Sequence, residues 1–420
     1  MSGAGQTSET KANGQGAAEQ FRRRVFYIPG YDPFHPRRYR ELYRKEGADQ
    51  ARLSGYELKL TPLSGTGSYS WRSESVIEGR QTRAEISVLV WSDIVKRSMS
   101  ETIPATYLQL LRTAWAYIGS GALFRLMRLR KGPMIAALYP IVFLLLQLAL
   151  AVGLAWGIGA VLAHFSHWSF GIAAAAVTLW AVLRWFRAKD NKAFAWYLMH
   201  DYAFSAQNGG ANPPELEARM AEFRAQISAA LAQDCDEVLV VGHSSGAHLA
   251  ISILADLLRV AGPQGLPTRP RLSFLSLGQV VPMVSFLPKA QRLRRDLRDL
   301  STASQITWVD VTAPGDGCAF ALCDPVAVSG MAPEGKLWPL VLSAAFSQTL
   351  SSAKQAELKR RYFRLHFQYL CAFDALPGTQ GDYDYFAVTA GPLTLAERFR
   401  SRAPSKSRIE TPVNLYRSTT

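Results

Sequence analysis

Short apolar runs alternate with longer periodic stretches along the chain. Val25-Phe26-Tyr27-Ile28 is an apolar run closed by Pro29-Gly30, which predicts a buried strand ending in a tight loop. Tyr56–Leu63 and Ala84–Trp91 alternate apolar with polar positions, as strands with one covered face do. Glu237-Val238-Leu239-Val240-Val241 predicts a strand inside a parallel sheet, where both faces are covered. Leu272–Leu277 and Ile306–Val311 are further strand candidates. Helical patterns cover residues 105–130, Pro214–Gln233 (opened by Pro-Pro-Glu) and Ala247–Val260. Pro288–Leu300 predicts a basic amphipathic helix carrying Lys289, Arg292, Arg294, Arg295 and Arg298, a pattern that suits a solvated face and a membrane surface equally. Strands alternating with helices predict an α/β fold with a mainly parallel sheet and helices on both faces. No internal repeat interrupts the pattern.

One stretch breaks the alternation. Between Lys131 and Arg184 there is no Lys, Arg, Asp or Glu, about fifty residues where one bilayer pass needs roughly twenty. The run divides into Pro133–Ala163 and Phe170–Leu183 around the polar and aromatic segment His164-Phe165-Ser166-His167-Trp168-Ser169, which predicts a tight interfacial turn. Arg125, Arg128, Arg130 and Lys131 precede the run, and Arg184, Arg187, Lys189 and Lys192 follow it. Both basic flanks belong on the cytoplasmic side by the positive-inside rule. Strands lie on both sides of the run in sequence and must meet in one compartment, which also calls for an even number of passes. The expectation is a two-pass hairpin in the cytoplasmic (inner) membrane, with both termini and the main domain cytoplasmic. A helical lid, or a hairpin dipping into one leaflet, is the alternative.

Composition adjusts this picture in two places. The formal net charge of the 420 residues is +14, which invites a nucleic-acid reading. The cations sit beside apolar segments, and no zinc-finger spacing, RNA-binding aromatic motif or basic tail accompanies them, so an anionic membrane surface is the expected partner and no nucleic acid is. Cys235, Cys318, Cys323 and Cys371 are too few for a disulfide framework and are expected to be reduced thiols. The division expected is a disordered N-terminus over 1–20, a first part of the main domain over 21–130, the hairpin over 131–187, the second part over 188–400, and a flexible tail over 401–420. The hairpin is expected to be separable, so that excising Pro133–Leu183 leaves a soluble active domain.

Gly242-His243-Ser244-Ser245-Gly246 matches G-x-S-x-G, a weak pattern alone. Here it follows an apolar strand and opens an apolar helix, the strand–turn–helix context of a nucleophile elbow. Ser244 would then project its hydroxyl at a helix N-terminus, where dipole and free N–H groups favour developing negative charge.

On these residues the chain resembles the α/β-hydrolase superfamily of serine esterases and lipases, over roughly residues 24–95 and 195–395. The resemblance implies Ser244 as nucleophile and the Ser245 N–H as one oxyanion donor. The loop Pro29-Gly30-Tyr31-Asp32-Pro33 would supply the second, with the Tyr31 N–H as candidate. Pro-Gly stands where that family usually has His-Gly. The family order of serine, acid, histidine selects the base. Among His35, His164, His167, His200, His243, His248 and His366, only His248 and His366 follow Ser244. His248 lies in the elbow helix, which leaves His366. For the acid, loop position beyond a strand end favours Asp316 over Asp310, with Asp324 a third candidate.

Gly278-Gln279-Val280-Val281-Pro282 and Asp382-Tyr383-Asp384-Tyr385 read as structural loops that could line or cap a pocket. No metal cluster, phosphate loop or dinucleotide fingerprint is legible, and no cofactor is expected. The function expected is hydrolysis of an ester or thioester, lipophilic given the anchor, through an acyl-enzyme. A transferase would use the same residues. A catalytically inactive membrane scaffold or binding protein on the same fold is the competing expectation.

Overall fold

The structure, a computed structural model, describes residues 20–63, 69–99, 102–190 and 194–420. The expected disorder over 1–20 falls almost wholly outside the described residues. One eight-stranded sheet organises the chain: β1 (Phe21–Ile28), β2 (Glu57–Leu63), β3 (Tyr69–Ile77), β4 (Arg80–Val88), β5 (Glu237–His243), β6 (Arg271–Leu277), β7 (Ile306–Thr312) and β8 (Leu340–Ser343). Their order across the sheet is β2-β3-β4-β1-β5-β6-β7-β8. All neighbours from β4 to β8 run parallel, and β3 runs antiparallel to β2 and β4. The fold is α/β with a mixed, mainly parallel sheet. Every residue of β5 is buried, as its apolar sequence requires.

The helices used below are α1 (Arg37–Ser54), α2 (Ser92–Ser98), α3 (Ile103–Gly119), α4 (Ala122–Leu129), α5 (Lys131–Phe165), α6 (Trp168–Ala188), α7 (Ala195–Ala206), α8 (Pro214–Leu231) and α9 (Gly246–Ala261). One hydrophobic layer covers one face of the sheet with Leu216, Phe223 and Ile227 of α8 and Leu249, Ile253 and Leu254 of α9. A second layer covers the other face with Tyr39 and Tyr43 of α1, Phe346, Phe373 and Phe386. Buried charge is matched within the sheet, where Arg23 Nε meets Glu237 Oε2 at 2.6 Å and both side chains have no exposure.

The expected strands and long helices are present, with four differences. β3 and β8 have no counterpart in the apolar pattern. The single helix expected over 105–130 is broken into α3 and α4 at Ser120-Gly121, where Gly121 has φ 67°. The interfacial turn shrinks to Ser166-His167, because the His167 side chain accepts the Ser169 N–H at 3.3 Å and starts α6 at Trp168. The segment 401–420, expected as a flexible tail, is docked on the main domain in the structure. The Asn414 side chain donates to Ser285 O at 3.0 Å and Ser329 O at 3.3 Å, and Arg294 Nε donates to Ser418 O at 2.8 Å. A polar tail can dock through hydrogen bonds that a hydropathy pattern does not register.

Among the described residues two helices, α5 and α6, are long and apolar enough to cross a membrane. They pack through small residues, since a Cβ on Gly171 would sit 2.5 Å from Gly159 O and 2.7 Å from Ala163 Cβ. The lower half of α5 belongs to the main domain, however. Met134 and Ala137 share a buried cluster with Phe286 and Phe320, and Leu144 shares one with Leu110 and Trp196. The expectation of a cleanly separable Pro133–Leu183 is corrected accordingly. At 35 residues, α5 is about 50 Å long, well beyond the hydrocarbon thickness of a bilayer, so part of it is free to serve as core.

Candidate active site

β1 continues to α1 and then, by way of the β2–β3 hairpin, to β4 on one side, whereas β5 joins β1 on the other. The sheet therefore changes its direction of growth between β1 and β5, the kind of switch point at whose strand carboxyl ends α/β sheets place their binding groups. Ser244 follows β5 at that point. Its backbone is in the left-handed region, φ 55°, a conformation that non-glycine residues adopt only when their surroundings enforce it. The enforcing contacts are local. The Ser244 N–H donates to Leu277 O at 2.9 Å, and the Ser244 carbonyl accepts the Ala247 N–H at 3.1 Å. α9 then leaves so close to β1 that a Cβ on Gly246 would stand 2.1 Å from Ile28 O, which makes glycine the one residue that fits. Ser244 is half-buried and Ser245 is buried.

The loop after β1 lies against this turn. A Cβ on Gly30 would come within 3.0 Å of Ser244 Cβ and 3.4 Å of Ser244 Oγ. The loop is held by Trp91 Nε1, which donates to Pro29 O at 2.9 Å, and by the hydroxyl of Tyr31, 2.7 Å from Ser98 Oγ in α2. The Tyr197 hydroxyl of α7 donates to the Tyr31 carbonyl. Asp32 accepts hydrogen bonds from the Tyr39 hydroxyl and the Phe34 N–H, which fixes the exit of the loop.

His366 reaches the same place from the short helix Tyr362–His366. Its Nδ1 is 2.7 Å from Asp316 Oδ2, and both side chains are buried. Its carbonyl accepts from His243 Nε2 at 3.0 Å, and its Cε1 would be 3.0 Å from a Cβ on Gly278, the residue after Leu277. His366 is thus braced by the neighbours of Ser244 on both β5 and β6. Among the described residues no hydrogen bond joins Ser244 Oγ to His366.

Asp316 sits in the loop beyond β7. Its Oδ1 accepts the Cys318 N–H at 2.9 Å, and its Oδ2 also accepts the Tyr369 hydroxyl at 3.0 Å. Burial pushes this carboxyl up, but the adjacent His366 and these hydrogen bonds outweigh it, so Asp316 is held below the usual range as a carboxylate. Asp310 is a different kind of group. It lies within β7 with no exposure and accepts from Ser276 Oγ at 2.5 Å, while its Oδ2 has no partner. Burial pushes it up to about 8 despite the Ser276 hydrogen bond, so it is a neutral acid at pH 7 and does not touch His366. Asp324 caps the helix Pro325–Val328 and pairs with Lys336 Nζ at 2.5 Å.

Of the residues singled out in the sequence, Ser244, Ser245, Tyr31, His366 and Asp316 come together. His248 is buried in α9, where burial lowers it to about 4, and His243 is held down to about 3 by burial and by His366, so both rings are neutral. Gln279 ties Cys323 O at 3.0 Å and serves the loop itself. Asp384 caps the helix Tyr385–Ala390, and the Tyr383 hydroxyl donates to Tyr369 O at 2.8 Å, two steps from Asp316.

Asp201 of α7 escaped the sequence reading. It is half-buried, near enough to His366, Tyr31 and Cys318 to feel their charge, and burial pushes it up to about 7 against the pull of His366. No motif marks it, because α7 meets the site only in three dimensions. The fold also gathers ligand atoms of Asp316, Cys318 and His366 within 4.8 Å of one another. Asp316 Oδ2 is already shared by His366 and Tyr369, and burial pushes the Cys318 thiol well above its ordinary value, so the donor set suits a hydrogen-bonded pair better than a metal ion.

No protein-family model, no curated protein and no solved structure matches this chain.

Proposed function

We propose that the chain is a membrane-anchored serine hydrolase of the α/β-hydrolase type that cleaves a lipophilic ester or thioester through an acyl-enzyme. The observation that carries this reading is the Asp316–His366 pair at 2.7 Å, braced beside a serine whose backbone is held at φ 55°. A serine hydroxyl needs a general base to attack a carbonyl. His366 Nε2 takes the Ser244 proton as Oγ bonds to the carbonyl carbon, and Asp316 holds the ring with Nδ1 protonated. The Ser245 and Tyr31 N–H groups stabilise the oxyanion. His366 then returns the proton to the departing alcohol or thiol. Water, deprotonated by the same ring, releases the acid and restores Ser244.

Lipophilicity is inferred from the anchor. The two apolar helices would cross the cytoplasmic membrane as a hairpin, with both termini and the sheet on the cytoplasmic side, in keeping with their basic flanks. The foot of α5 reaches the acid loop: Arg130 Nε donates to Ala321 O at 2.7 Å, and a Cβ on Gly132 would be 3.2 Å from Gly317 Cα.

Fluorophosphonate labelling in membranes tests the reading. Label on the native chain that vanishes with Ser244→Ala and weakens with His366→Ala is the expected result. One observation favours a second reading, a scaffold or binding protein without catalysis: Ser244 and His366 make no hydrogen bond with each other. A folded native chain that takes no label would establish that reading instead.

A further inference from the structure

α3 carries an apolar stripe on its outer side. Leu108, Leu111, Trp115 and Ile118 follow the helical repeat and are 47 %, 64 %, 79 % and 51 % exposed, while Thr106, Leu110, Thr113 and Tyr117 on the opposite side are buried. Phe124 and Met127 extend the exposed surface onto α4. A continuous apolar surface of this kind marks a partner.

Two observations say which. The first is continuity with the hairpin. The Tyr107 hydroxyl donates to Leu144 O of α5 at 3.0 Å, and Leu110, Leu144, Trp196, Met199 and Ala203 form one buried cluster. α3 and the lower part of α5 therefore pack on α7 together, α4 adjoins the foot of α5, and Ile135, Tyr139 and Val142 of α5 are also exposed. The second is charge. From Thr102 through Lys189 the sequence has no Asp or Glu, and it has eight Lys or Arg, among them Arg112, Arg125, Arg128, Arg130 and Lys131 on or beside α3 and α4. Arg112, Arg128 and Lys131 are exposed. A second copy laid face to face would oppose like charges, whereas an anionic headgroup layer would neutralise them.

We propose that the outer stripe of α3 and α4 rests in the anionic headgroup and acyl boundary of the bilayer that the hairpin crosses, as a third membrane contact of this chain. This rests on the hairpin reading. α7 separates α3 from the candidate site, packing Trp196, Met199 and Ala203 on one side and setting Phe204 5.5 Å and Tyr197 6.4 Å from the Tyr31 ring on the other. The contact thus seats the serine one helix away from lipid.

The test uses the full chain in phosphatidylcholine–phosphatidylglycerol vesicles, with nitroxide labels on Leu111→Cys, Trp115→Cys, Trp156→Cys in α5 and Val260→Cys on the main domain. The parent protein, with its four native cysteines, sets the background. Collisions with oxygen report lipid, and collisions with a water-soluble nickel chelate report water. Oxygen-dominated collisions at Leu111, Trp115 and Trp156, with the ratio reversed at Val260, are expected. Chelate-dominated collisions at Leu111 and Trp115 alone would overturn the proposal and leave the hairpin standing. Loss of both kinds of collision there would mean a protein partner and would also overturn it. A chelate-dominated Trp156 would show that the hairpin reading itself has failed, and the α3 contact with it.

Discussion

The α5–α6 hairpin and the loop cluster around Ser244 depart from the usual division of surface and core in opposite directions. Trp156 of α5 is 75 % exposed, whereas the carboxyl of Asp316 is enclosed by protein, with the residue 2 % exposed. Each departure needs something to compensate it. Asp316 has three hydrogen-bond donors, from His366, Cys318 and Tyr369, and remains a carboxylate. Asp310, six residues earlier, has one donor and is protonated at pH 7. The exposed aliphatic side chains of the hairpin, such as Ile135, Leu146 and Val161, have no polar atom to satisfy and are left largely uncovered by the protein. An apolar solvent outside the chain, as the proposed membrane anchor requires, would compensate them. A buried polar group therefore explains itself within the structure, and an exposed apolar one points beyond it.

The comparison breaks most severely at the site. Ser244→Ala is expected to reduce turnover by roughly 10⁴-fold or more, and Asp316→Asn by about 10⁴-fold, because the ring would lose its fixed tautomer. Steady-state hydrolysis of a chromogenic ester measures both, and a small effect of Asp316→Asn would remove the acid from its assigned role.

The next effect concerns where the apolar exterior ends and the core begins. Excising Pro133–Leu183 removes Met134, Ala137 and Leu144, which are buried against the main domain. Losing large buried side chains costs roughly 2–5 kcal/mol each, enough together to consume the stability of an ordinary domain. That excision is expected to unfold the protein, and excision of residues 148–182 to leave a melting transition. Equal melting of both products would show that the lower half of α5 is not core.

A smaller effect is expected inside the hairpin. Gly171→Leu forces a side chain against Gly159 O and Ala163 Cβ and is expected to cost about 1–3 kcal/mol of thermal stability in detergent, without changing fluorophosphonate labelling.

The smallest effect lies at Asp310, where pH gives the sign. Its folded pKa of about 8 is above the unfolded value near 3.9, so the folded state binds the extra proton between those limits. Stability due to this group falls as pH rises from about 4 and levels off above about 8. Asp310→Asn is expected to flatten that slope in urea titrations at pH 6 and pH 9 while changing ester turnover only slightly. Asp316 has the opposite sign, since its depressed pKa adds stability above the unfolded value that is lost as pH falls through the folded one.

Much of this was legible in the chain. β1, β5, β6 and β7 announce themselves because strands covered on both faces carry apolar runs, and the strand–helix turn at Ser244 is legible because its glycines have no alternative at such close approach. β3 was hidden because its inward positions are partly serines, with Ser70 and Ser87 paired at 2.9 Å and Ser75 donating to Ala390 O at 2.6 Å. A hydroxyl that is satisfied inside looks like a surface residue in a hydropathy pattern. The docking contacts of the tail over 401–420 are hidden for the same reason.

What the sequence determined by itself is local: which segments are strands or helices, which serine sits at a strand–helix turn, and that the stretch from Lys131 to Arg184 has almost nothing to offer water. These follow from periodicity and composition, which depend on near neighbours alone. The tertiary structure decided that His366 Nδ1 meets Asp316 and not Asp310, that Asp201 approaches the same ring, and that the lower half of α5 is core. Those outcomes depend on residues far apart in the chain meeting at one sheet edge, where burial and hydrogen bonding set the charge of each carboxyl.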